Sequence, residues 1–158
     1  MSASDPPSLL YWEDFAPGDE VELGRYTFSE EEIVRFGREF DPQPLHTDAR
    51  AAAAGFYGGV IASGWHTCAI GMRLMVLSSI GRAASAGSPG VDRIRWLAPV
   101  RPGDTLLYRR RILATRPSAR RPELGLVKSR TEAVNQRGET VLTMEGWGLF
   151  RRRPVDPR

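Results

Sequence analysis

The chain has 158 residues, enough for one domain with a real core. Its 41% hydrophobic and 26% charged content is that of an ordinary globular protein, and no apolar run approaches the ~18–20 residues of a membrane span. The net charge of +3 comes from 22 basic residues scattered among 19 acidic ones, with Lys128 the single lysine, so no concentrated patch points to a nucleic-acid partner.

The first ten residues read as a loose arm without the basic and apolar pattern of a signal peptide. Ala16-Pro17-Gly18-Asp19 suits a type II turn, with proline second and glycine third. A short strand is expected over 21–28. Ser29 and Glu32 then form a candidate capping box for a helix over 30–39, whose stripe is Ile33, Phe36 and Phe40. That helix runs into FDPQPLHTD, residues 40–48. Pro42 and Pro44 bias Asp41 and Gln43 away from helix, which predicts a stiff, irregular corner. The corner holds Asp41 five residues before His46, one of only two histidines. A carboxylate and an imidazole fixed in this way are candidates for general acid–base work. Asp48 or Thr47 caps a short helix through Ala51 to Ala54, which Gly55 stops.

Ser63-Gly64 opens a longer helix to about Ile80. Trp65, Cys68, Ala69, Met72, Met75 and Val76 share one face, with Ile70, Leu74 and Leu77 opposite. A helix apolar nearly all round reads as buried, at the centre of the domain. Residues 81–90 form a small-residue loop. Strands follow at 91–100, 105–114, 124–134 and 140–150, separated by the second Pro-Gly turn, Arg101-Pro102-Gly103-Asp104, a basic loop at 116–122, and Asn135-Gln136-Arg137-Gly138. The expected architecture is α+β, an antiparallel sheet wrapped around one long central helix. Residues 11–150 are the domain, and 151–158 are a basic, solvated tail.

Other candidates read as structural. Ser63 lacks a G-x-S-x-G elbow and serves as a helix cap, and His66 and Cys68 are core groups on the helix. Trp65 and Trp96 read as core. One cysteine rules out an intrachain disulfide and a multi-cysteine zinc site, and makes a reducing cytoplasm the default location. No P-loop or G-x-G-x-x-G opens a helix, so nucleotide hydrolysis and hydride transfer lack support.

The run Asp41-Pro42-Gln43-Pro44-Leu45-His46-Thr47-Asp48, followed by Gly59-Val60-Ile61-Ala62-Ser63-Gly64 and a long helix, resembles the MaoC-like dehydratases and (R)-specific enoyl-CoA hydratases. Their motif reads approximately G-D-x-N-P-L-H. This chain has Phe40 for the glycine and Gln43 for the asparagine. The resemblance implies a single hotdog domain and reversible hydration of a 2-enoyl-CoA. It implies that Asp41 and His46 share a water as base and acid. It also implies that Gly64 donates its N–H to the thioester oxygen, beside Ser63 and Gln43 in the substrate site. No metal or redox cofactor is implied; coenzyme A arrives with the substrate, and a homodimer or a higher homo-oligomer is expected. A hotdog thioesterase and a non-catalytic acyl-CoA-binding subunit are the alternatives.

Overall fold

A computed structural model describes residues 8–155. Five strands form one antiparallel sheet: β1 (Glu20–Thr27), β2 (Gly90–Trp96), β3 (Thr105–Pro117), β4 (Leu124–Val134) and β5 (Thr140–Arg151). Their order is β1-β3-β4-β5-β2, so β1 and β2 are the two edges. Both proline-glycine turns form as expected. Gly18 and Gly103 take φ of 93° and 88°, and Asp19 and Asp104 donate back to the carbonyls of Ala16 and Arg101.

The sheet curls around α4 (Gly64–Ser78), which is the hotdog arrangement the resemblance implies. Tyr108, fully buried on β3, donates its hydroxyl to the Thr67 carbonyl at 2.9 Å and ties helix to sheet. Leu106 and Leu142 from the sheet, Ile70 and Met75 from α4, and Phe28 and Ile33 from the segment after β1 make the main core.

The helix is not buried all round, as its composition suggested. The side packed on the sheet carries His66, Thr67, Ile70, Gly71 and Met75. Trp65, Met72, Val76 and Leu77 are exposed, Trp65 at 56%. Thr67 and Gly71 are buried because Tyr108 needs a carbonyl to meet and room for its ring; a Cβ on Gly71 would stand 3.1 Å from that ring. The more apolar side of the helix is exposed.

The two ends of the domain are tied down. Arg153 Nη2 donates to both carboxylate oxygens of Asp14 at 2.7 and 2.8 Å, and Arg152 reaches Glu13, so the basic, solvated segment after residue 150 is tied back through residue 153. Leu10 bridges the loop after α4. The rest of the expected N-terminal arm, residues 1–7, lies outside the described residues. The loop over 81–90 runs alongside β5, with Ala86 donating to Leu149 and Leu149 to Gly87. Among the described residues no helix is long and apolar enough to cross a membrane.

Candidate active site

Helix α1 (Glu30–Phe40) starts where Ser29 accepts the Glu32 N–H, and it ends at Asp41 as the following prolines require. The corner after it is more regular than expected. Pro44 takes the first position of a one-turn helix, α2 (Pro44–Thr47), where a missing N–H costs nothing. Asp48 then caps α3 (Ala49–Ala53), accepting from Arg50 and Ala51.

The turn of α2 swings His46 back onto Asp41. His46 Nε2 stands 3.1 Å from Asp41 Oδ2, in direct contact. The other ring nitrogen, Nδ1, lies 2.7 Å from the Ile61 carbonyl oxygen. A carbonyl can only accept, so Nδ1 carries a hydrogen, and Nε2 faces the carboxylate with whatever proton the pair shares. His46 is buried, and α1 grips it from behind. A Cβ on Gly37 would fall 2.9 Å from His46 Cβ.

Asp41 collects donors. Ser63 Oγ donates to Oδ2 at 2.7 Å, and Gln43 Nε2 donates to Oδ1 at 2.8 Å. Burial pushes the carboxyl pKa up, but the hydrogen bonds from Gln43 and Ser63, with His46 beside them, outweigh it; the group sits below the usual aspartate value. Gln43, though one methylene longer than the family's asparagine, therefore reaches the carboxylate. Ser63 is fully buried and caps α4 while it holds Asp41, so it meets the carboxylate rather than the cavity. Phe40 is exposed, its ring against Phe36.

A 420 Å³ cavity opens beside this pair. His46, Tyr57, Gly64, Thr67, Trp96 and Leu97 are among its lining residues. The Gly64 N–H has no hydrogen-bond partner among the described residues, and it sits at the positive end of α4. Trp96 lies so close that any Cβ on Gly64 would collide with the indole ring. The two tryptophans read as core are half-exposed and meet edge to face at 5.2 Å beside the cavity. Sequence reasoning missed Trp96, Ile61 and Gly37 as parts of the site. Trp96 and Gly37 lie outside any motif, and Ile61, though inside the run 59–64, contributes through its backbone carbonyl rather than its side chain.

His66 is buried between the rings of Phe36 and Phe28, away from the pair, and burial pulls its pKa down. Cys68 is half-buried, its thiol pKa pushed up by burial. Both agree with a structural reading.

A family model described as "MaoC like domain" matches residues 14–133. The chain is 31% identical over 141 residues to the uncharacterized protein YdeM of Bacillus subtilis, covering 89% of this chain and 98% of that one. It is 39% identical to the mesaconyl-CoA hydratase of Cereibacter sphaeroides over 59 residues, which is 37% of this chain and 17% of that protein. Among solved structures, a MaoC-like dehydratase from Rhodospirillum rubrum superposes with a TM-score of 0.84 at 41% identity, covering 92% of this chain and 99% of that one. The R-hydratase PhaJ1 of Pseudomonas aeruginosa shares the fold, with a TM-score of 0.73 at 20% identity over 94% of each chain.

Proposed function

Because the chain belongs to the MaoC-like domain family, we propose that it is a hydro-lyase that adds water reversibly across the 2,3 double bond of an enoyl thioester. A coenzyme A ester is the substrate class we favour, given the mesaconyl-CoA hydratase among its relatives. The observation that carries the reading is the direct Asp41–His46 contact, with the far side of the imidazole fixed by the Ile61 carbonyl.

The chemistry balances on that pair. Asp41 begins ionised and His46 doubly protonated. Asp41 takes a proton from water as the oxygen attacks C3. The double-bond electrons move into the thioester as an enolate, and the Gly64 N–H donates to its oxygen. The enolate collapses as His46 Nε2 delivers its proton to C2. One proton transfer across the 3.1 Å contact then returns the pair to its starting state. The route needs no resident metal or redox cofactor; coenzyme A enters as part of the substrate. A protein with one cysteine suits a reducing cytoplasm, where we expect it to act.

We also infer a homodimer. The outward face of α4 presents Trp65, Met72 and Val76, and the exposed β2 edge presents Val91 and Trp96 beside it. Two copies meeting edge to edge about a two-fold axis would pair the β2 strands and cover both helix faces at once.

The test follows the conjugated enoyl-thioester absorbance with short 2-enoyl-CoAs while free thiol is monitored. Loss of absorbance without thiol release is expected. Thiol release would replace the reading with a thioesterase. Tight acyl-CoA binding without turnover would replace it with a binding subunit.

A further inference from the structure

A second cavity, of 340 Å³, lies under the C-terminal half of α4. Met75 roofs it, Met72 stands at its rim on the face assigned above to a second copy, and Arg110, Thr131 and Met144 form part of its floor. From Gly64 to Met75 the helix rises about 16 Å, so this cavity is well separated from the Asp41–His46 pair. Arg110 alternates along β3 with Leu106, Tyr108 and Ile112, all buried toward the helix. It is 5% exposed, yet its Nε has no hydrogen-bond partner among the described residues. Nor does any described carboxylate form an ion pair with it; the Phe15 ring lies 5.7 Å from the guanidinium carbon. Burial with no opposing charge pulls the arginine pKa down.

An unpaired cation in an apolar site is costly, and proteins normally supply it with an acceptor. The described residues supply none here, and they leave a cavity of small-ligand size beside the guanidinium. We propose that this cavity binds a carboxylate carried on a medium-length apolar chain, with the carboxylate on Arg110 and the chain along Met72, Met75 and Met144. A guanidinium meets a carboxylate through two parallel hydrogen bonds, and the flexible thioethers accommodate the chain. At protein packing density the space takes roughly a dozen non-hydrogen atoms. Such a carboxylate comes either from a free fatty acid or from the far end of a dicarboxylic acyl thioester. The site stands whether or not the Asp41–His46 pair hydrates thioesters.

The experiment is calorimetric titration of the full chain with octanoate and with octanol, repeated on Arg110→Met and Arg110→Lys. Wild type is expected to bind octanoate at least tenfold tighter than octanol. Arg110→Met loses that preference and Arg110→Lys keeps most of it. Arg110→Met is also expected to melt a few degrees higher than wild type, because it removes an unpaired buried charge. A second pair of ligands, the coenzyme A thioesters of hexadecanoic and hexadecanedioic acid, whose chains are long enough to span the separation, distinguishes the sources. An Arg110-dependent advantage for the hexadecanedioic ester points to the acyl chain; its absence beside octanoate binding points to the free acid. Equal binding of octanoate and octanol by wild type, with no advantage for the hexadecanedioic ester, overturns the proposal, even if Arg110→Met fails to fold. A dimer that dissociates in Arg110→Met also overturns it, since the acceptor would then be a second copy's carboxylate.

Discussion

Asp41 is surrounded by donors, and that is what sets its charge. Its folded pKa lies below the usual aspartate value, so folding favours the ionised form. A depressed carboxyl stabilises the fold fully above the ordinary pKa of about 3.9, and the contribution disappears as pH falls through the folded value. The melting-temperature gap between wild type and Asp41→Asn should therefore close below about pH 3.9; a gap constant from neutral pH downward contradicts this account. Ser63 has two tasks, capping α4 and donating to Asp41. Ser63→Ala should cost about 1–3 kcal/mol, read by thermal or denaturant unfolding. It should also raise the Asp41 pKa, moving the acid limb of kcat/KM to higher pH; a cap alone would leave that limb in place. The Asp41–His46 relation was legible in the sequence because both residues lie on one short corner. Ser63 was legible as a cap and, by resemblance, as a substrate-site residue; its bond to Asp41 was not, because it crosses 22 positions of chain.

At the scale of elements, the site depends on two close approaches. Helix α1 can touch α2 only because residue 37 lacks a Cβ. Gly37→Ala would gain about 1 kcal/mol of helix propensity but should lose about 1–3 kcal/mol to overpacking against His46. The expected result is a less stable protein with kcat reduced roughly ten- to a hundredfold, since a displaced imidazole loses its alignment. A more stable and fully active Gly37→Ala would contradict it. The extents of β4 and β5 were readable from alternation and turn chemistry. The buried face of α4 was not. Hydrophobic periodicity reports which side seeks burial, without saying whether this chain or another copy provides it. That is why Trp65 and Met72 point outward while Thr67 and Gly71 face the sheet.

For the whole molecule, an apolar helix face and a bare strand edge on the same side are the basis of the proposed dimer. Met72→Glu with Val76→Glu places two charges on that face, and sedimentation velocity should report a monomer. A dimer unchanged by the pair would put the interface elsewhere. The α+β class and the wrapped helix were legible from the order of elements; the strand order was not, because alternation says nothing about which neighbour a strand pairs with.

The most direct test of the central claim is the turnover of a short 2-enoyl-CoA by Asp41→Asn, which keeps the size of the side chain and removes its charge. Acid–base catalysis contributes about 10²- to 10⁴-fold, so kcat should fall by that much in a protein that remains folded. Undiminished turnover by folded Asp41→Asn would contradict the claim that the Asp41–His46 pair carries the chemistry.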